Sequence, residues 1–177
     1  MKPVATRWKH SDPSEAPLLM RVAVLTISDS VAKGEREDLS GPAVVAHCRG
    51  LGWEVTSALR SSDDHANIRE QLRELADSGR VDVILTTGGT GLGPRDNTPE
   101  ATQVVADRIV PGIAEEMRRK GLQHTPRAVL SRGMACVRSK ALIVNLPGSP
   151  KGAVESLEAV AHLLLHAVKV LHGARHD

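Results

Sequence analysis

The sequence predicts a single α/β domain, arranged as three α/β/α layers around a mostly parallel central sheet. Strand-like apolar runs at residues 21–27, 53–59 and 81–86 alternate with stretches whose apolar residues recur at helical spacing. Strand, helix, strand, helix, strand at this spacing requires crossover helices and a parallel-type sheet. The first run, Arg-Val-Ala-Val-Leu-Thr-Ile, is apolar enough to be covered on both faces, as strands in such sheets are. A length of 177 residues, with no internal repeat, suits one domain with a core of ordinary size.

Composition narrows the function classes. A net charge of +2 argues against nucleic acid as the main partner. Tyr and Phe are absent and Trp occurs twice, so base-stacking platforms are missing as well. Cys48 and Cys136 lie far apart without metal-type spacing, and read as buried small apolar residues of a reducing compartment. No apolar run approaches the roughly 18 residues of a membrane span, and the N-terminus lacks a signal-type apolar stretch. The expectation is a cytoplasmic protein with no membrane partner.

The chain divides into an extension (residues 1–20), a domain (21–172) and a short tail (173–177). Residues 1–17 of the extension are polar, aperiodic and proline-containing, which predicts flexibility; Trp8 within them has no assigned role. Strand 21–27 leads into a polar loop with Ser28, Asp29, Gly34 and Asp38. Ser40 is then expected to cap a helix from about Gly41 to Gly50 or Gly52, with Pro42 in the tolerant first turn. Strand 53–59 is followed by Ser61-Ser62-Asp63-Asp64, with Asp64 as the N-cap of helix 66–77, where Ile68, Leu72 and Leu75 keep helical spacing. Gly79 stops that helix, and strand 81–86 follows. After a glycine loop come helices 99–109 and 113–120, then short strands at 129–130 and 135–137 around Ser131-Arg132-Gly133. Strand 141–145 closes on the turn Leu146-Pro147-Gly148-Ser149-Pro150. The last helix, about 151–171, carries an apolar stripe of Val154, Leu157, Val160, Ala161, Leu164, Val168 and Leu171 for the sheet.

Ligands of open α/β sheets bind beyond the carboxyl ends of the strands. There this chain carries Ser28-Asp29, Ser62-Asp63-Asp64, Thr87-Gly88-Gly89-Thr90-Gly91 and Pro147-Gly148-Ser149. Backbone N–H groups and hydroxyls of such loops suit phosphates, and the aspartates suit a hard divalent cation. Each feature also has a plainer reading. Glycine loops are often only tight turns, and the loop is neither a Walker loop nor a dinucleotide fingerprint. Asp96 and Asp64 could be caps, and Ser131-Arg132 could be a turn. Lys151 is unfavourable for the dipole at a helix start, so it could face an anion. His162 and His166 have a zinc-compatible i, i+4 spacing but no third ligand, and read as a helix face.

In combination, Thr87-Gly88-Gly89-Thr90-Gly91, Arg95-Asp96, Thr98-Pro99-Glu100-Ala101 and Leu146-Pro147-Gly148-Ser149-Pro150-Lys151 resemble the MogA/MoaB family of molybdenum-cofactor biosynthesis, which includes gephyrin-type G domains. Thr26-Ile27-Ser28-Asp29-Ser30 with Gly34, Asp38 and Ser40-Gly41 is similar to the family's first-strand motif, and Ser131-Arg132 to its later Ser-Arg element. The resemblance runs from about residue 21 to 171. It implies transfer of AMP from ATP to the terminal phosphate of molybdopterin, with Mg2+ and release of pyrophosphate. It further implies Asp63 and Asp96 as the catalytic, metal-organising carboxylates, although Ser62 stands where the family usually has proline, which leaves Asp64 as the alternative to Asp63. Ser28, Gly88, Gly89, Thr90, Gly91, Arg95, Thr98, Glu100, Ser131, Pro147, Gly148, Ser149 and Lys151 are the implied molybdopterin and nucleotide contacts. Homotrimers or hexamers and a molybdenum insertase as downstream partner are implied too, with residues 109–113 or the last helix as contacts. Two other readings stay open: a non-catalytic MoaB-type molybdopterin-binding protein, and a competence-damage-type nucleotide enzyme.

Overall fold

A computed structural model describes residues 19–173. Six strands form one sheet: β1 (Arg21–Ile27), β2 (Glu54–Ser61), β3 (Val83–Thr87), β4 (Arg108–Ile109), β5 (Ala135–Arg138) and β6 (Ala141–Leu146). Their order is β2-β1-β3-β6-β5-β4. The first four in that order are mutually parallel, and β5 and β4 continue antiparallel. The helices are α1 (Asp29–Ala32), α2 (Ser40–Gly50), α3 (His65–Asp77), α4 (Thr98–Val105), α5 (Pro111–Gly121) and α6 (Pro150–Leu171). None is long and apolar enough to cross a membrane among the described residues.

The sheet is covered on both faces, and β1 displays the alternation. Val22 and Val24 pack with Val44, Cys48, Ile113, Leu157 and Leu164, under α2, α5 and α6. Ala23, Leu25 and Ile27 pack with Ile68, Leu72, Ala101 and Val105, under α3 and α4. These two apolar layers make the expected three-layer α/β/α domain. On α6, Leu157, Val160, Leu164 and Val168 are fully buried, so the helical stripe faces the sheet as its period requires. At the start of β1, the Arg21 side chain grips the buried Asp82 carboxylate through two hydrogen bonds, of 3.1 and 2.7 Å. His172, past the end of α6, lies 3.3 Å from the same carboxylate.

Several local expectations are corrected. The domain starts before residue 21: Met20 is buried, and its carbonyl accepts from Glu54 N at 3.0 Å. Trp8 lies outside the described residues. The polar loop after β1 contains the short helix α1, whose Val31 N–H donates to Ser28 Oγ at 3.4 Å. Ser40 is inside α2 rather than its cap; Asp38 Oδ1 accepts from Gly41 N at 2.9 Å instead. Asp64 does cap α3, accepting from Asn67 N at 3.0 Å. Helix α4 ends at Val105, four residues early, because Ala106 turns extended and Asp107 N and Val110 N bond to Val137 and Ala135 of β5, each at 2.8 Å. Those sheet bonds make residues 108–109 an edge strand. Residues 126–130 form a 3-10 turn, not a strand, begun by Pro126 and by Thr125 Oγ1 accepting from Arg127 N.

Candidate functional site

The carboxyl ends of β1, β2, β3 and β6 open onto one edge, and the loops there are tied to one another. Asp29 and Asp63 exchange two hydrogen bonds: Asp29 N donates to Asp63 Oδ2 at 2.8 Å, and Asp63 N to Asp29 Oδ1 at 2.9 Å. Arg95, from the loop after β3, forms an ion pair with Asp29. Asn97 Nδ2 donates to the Asp63 carbonyl at 3.2 Å. The loop after β6 joins through Thr87 Oγ1, which donates to Pro147 O at 2.7 Å. Sequence-distant hydroxyls and carboxylates are thus tied together by side-chain hydrogen bonds where the parallel strands end.

The glycines of this edge are there for protein neighbours. Gly88 has φ +110 and Gly89 φ +65, and a Cβ on either would overlap Ile27 O or Thr98 Oγ1 respectively. At Gly91 and Gly93 a Cβ would meet the Asp96 carboxylate, at 2.8 and 2.9 Å. Asp96 Oδ2 accepts from Gly93 N at 2.7 Å. At Gly148 it would lie 3.2 Å from Gly88 Cα. Gly88 and Gly148 let two loops touch, and Gly91 and Gly93 make room for a carboxylate.

Two clefts flank these loops. One, of about 520 Å3, is lined among others by Ser28, Asp63, Gly88, Gly89, Asp96 and Gly148. The other, of about 450 Å3, is lined by Thr90, Gly91, Ser131, Pro147 and aliphatic side chains such as Leu92 and Leu130. Ser149 lines both, and its Oγ caps α6 by accepting from Gly152 N at 3.2 Å. The two aspartates expected from the resemblance therefore face one cleft. Asp64 lines neither cleft and caps α3.

Four expected contacts line neither cleft. Thr98 is fully buried and donates to Gly88 O at 2.9 Å, a strut under the glycine loop. Glu100 is paired with Arg132; burial pushes its carboxyl up, but the Arg132 hydrogen bonds and charge outweigh that and hold it below the usual value. Arg95 is spent on Asp29. Lys151 points into solvent, its closest acid being Glu155 at 3.8 Å. Sequence reasoning missed Arg36 and Glu37, which line the polar cleft beside Thr26, Asp38 and Ser40 of the first-strand motif, and Arg118 and Arg127, which line the apolar one. Arg118 Nη1 donates to Ser131 O at 3.3 Å and to Gly133 O at 3.0 Å. Only the basic end of the helical pattern 113–120 could have pointed to it.

The donor set suits a magnesium–phosphate complex better than a resident ion. Asp63 and Asp96 each use Oδ2 in a backbone hydrogen bond. Among the described residues no cluster of three or more His, Cys, Asp or Glu side chains forms a metal cage. Mg2+ commonly takes one or two carboxylates and completes its shell with water and substrate phosphates, so two oxygen-donor side chains on a phosphate-sized cleft fit it.

A family profile described as "Probable molybdopterin binding domain" matches residues 23–167. The chain is 38% identical over 161 residues to the molybdopterin adenylyltransferase of Helicobacter pylori strain J99, covering 87% of this chain and 89% of that protein. It is 41% identical over 150 residues to the Escherichia coli K12 protein of that name, covering 80% and 73%. Among solved structures, the molybdopterin biosynthesis enzyme MoaB of Thermus thermophilus superposes with a TM-score of 0.82 at 50% identity, over 89% of this chain and 99% of that one. A MogA structure does so with 0.79 at 38%, over 85% and 99%. The loops that meet at the sheet edge, the profile match and these relatives agree: the chain belongs to the MogA/MoaB family of molybdenum-cofactor biosynthesis proteins.

Proposed function

We propose that this protein is a Mg2+-dependent molybdopterin adenylyltransferase of the cytoplasm. The observation that carries the proposal is the convergence of Asp63 and Asp96, from loops after two different strands, on one polar cleft that shares Ser149 with an apolar neighbour. The names of the curated relatives support the same reaction. The polar cleft takes the ATP phosphates, and the apolar cleft takes the pterin. An oxygen of the molybdopterin phosphate attacks the α-phosphorus of ATP; the bond from that phosphorus to the bridging oxygen breaks, and pyrophosphate leaves. A phosphate monoester loses its second proton near pH 6, so no general base is required. The work of the protein is to bring two polyanions together in line and to stabilise charge. Asp63 and Asp96 would hold Mg2+, which would offset part of the triphosphate's charge. The N–H groups of Gly89 and of Lys151 in the first turn of α6, with the hydroxyls of Ser28 and Ser149, orient phosphates.

The test is pyrophosphate release from ATP by the purified chain with molybdopterin and Mg2+. Wild type is expected to turn over, and Asp96→Asn to lose on the order of 100-fold or more in rate. Molybdopterin binding with no pyrophosphate release would instead establish a binding-only protein. We read the assembly as a homotrimer or hexamer that hands its product to a molybdenum insertase; light scattering in solution measures the first of these.

A further inference from the structure

The segment joining β3 to α4 has almost nothing apolar to hold it. Its one large hydrophobic side chain, Leu92, is 68% exposed, and four of its residues are glycines, Gly88, Gly89, Gly91 and Gly93. Yet this segment carries Asp96, and a loose loop would present that carboxylate in many positions. Asp96 Oδ2 accepts from Gly93 N, and Arg95 and Asn97 tie the loop's end to Asp29 and Asp63; the rest of the restraint comes from another part of the chain. Arg132 Nε donates to Gly91 O at 2.7 Å, and Nη2 donates to Asp96 O at 2.6 Å. Nη1 forms an ion pair with Glu100 in the first turn of α4, and the Arg132 backbone N–H donates to Thr90 O at 2.9 Å. One planar guanidinium thus joins the beginning of the loop, its end and the helix that follows, a task for which the rigid fork of arginine is suited and the ammonium of lysine is not.

We propose that Arg132, seated on Glu100, is a positioning residue for Asp96: it clamps the loop from Thr90 to Asp96 so that the carboxylate stays in the polar cleft. Glu100 then acts through Arg132 and not on a ligand, which is why it lines neither cleft. The consequence for catalysis rests on the adenylyl-transfer reading; the clamp itself does not. Arg132 and Glu100 should behave as a unit, because either without the other leaves the fork unseated.

The test uses the full chain as wild type, Arg132→Ala, Arg132→Lys, Glu100→Gln and the double variant Arg132→Ala/Glu100→Gln, with two readouts. In the unliganded protein, amide hydrogen exchange of residues 90–97 should rise in every variant while exchange in β1 and β3 stays as in wild type. In the transferase assay, kcat should fall by about 10- to 100-fold for Arg132→Ala, as misplacement of a reacting group implies, with the KM for ATP within about threefold. Arg132→Lys should fail to rescue, and the double variant should be no worse than Arg132→Ala, as expected of coupled residues. Unchanged exchange at 90–97 in Arg132→Ala, or losses in the double variant that multiply, would overturn the clamp. If Arg132→Ala does not fold, Arg132→Lys and Glu100→Gln decide by the same exchange readout. A wild-type chain that releases no pyrophosphate defeats the transferase reading alone, since the exchange experiment still judges the clamp.

Discussion

Gly88→Ala separates the structural from the chemical use of the glycine loop. Gly88 sits at φ +110, well outside the left-handed region that non-glycine residues visit. Its missing Cβ would overlap the carbonyl oxygen of Ile27, the last residue of the internal strand β1, where it pairs with Ser61 of β2 just beyond the last pair with β3. Neither partner can yield. Holding alanine there costs about 1–3 kcal/mol in backbone strain, and forcing the overlap about 1–3 kcal/mol more. A domain of this size loses about 2–4 °C of Tm per kcal/mol, so the midpoint should drop by on the order of 10 °C. Gly91→Ala is the contrasting variant. Its Cβ would meet only the tip of the Asp96 side chain, at 2.8 Å, and a carboxylate can rotate away. Its Tm should stay within about 3 °C of wild type, while adenylyl transfer falls at least about tenfold because Asp96 has moved. Thermal unfolding followed by circular dichroism, with the pyrophosphate assay beside it, reads both. A Gly88→Ala protein that melts within about 2 °C of wild type would refute the packing argument.

Two further outcomes follow from buried ionisable groups. Burial pushes the Asp82 carboxyl up, but the hydrogen bonds from the Arg21 side chain and backbone, with the charges of Arg21 and His172, outweigh it and hold it below the ordinary value of 3.8. A carboxyl lowered in the folded state adds stability that is complete above the unfolded value, about 3.9, and that is lost as pH falls through the folded value. Urea midpoints should therefore decline between about pH 5 and pH 3, and Asp82→Asn should shrink that decline while lowering stability by about 2 kcal/mol at neutral pH. The thiols of Cys48 and Cys136 are fully buried, and burial raises both to about 12. Iodoacetamide at about pH 8 should label neither in the folded protein and both after denaturation; rapid native labelling would contradict the packing of α2 and β5.

The alternation of apolar runs and helical spacings was enough for the α/β class, for the parallel core of the sheet and for the stripe of α6, because these depend on period and burial alone. The motif combination was enough for the family. What stayed hidden was decided by the particular partner each group meets, whether near or distant in sequence. Helix α4 reads as continuing to residue 109, and only hydrogen bonds to β5 convert its end into an edge strand. Ser40 looks like a cap by its type, but Asp38 is the residue whose carboxylate reaches Gly41 N. The glycines read as space for a phosphate; the fold fills that space with Ile27, Thr98 and Asp96. Thr98, Glu100 and Arg95 sit in the motif that signals the site, and their side chains hold loops together instead of lining a cleft. Sequence alone determined the strands and helices of the parallel core and which loops share an edge, since strand polarity in a parallel sheet leaves no choice. Tertiary structure alone decided which side chains on that edge face the clefts and which brace them, because a side chain's role depends on the partners that folding brings within hydrogen-bond reach.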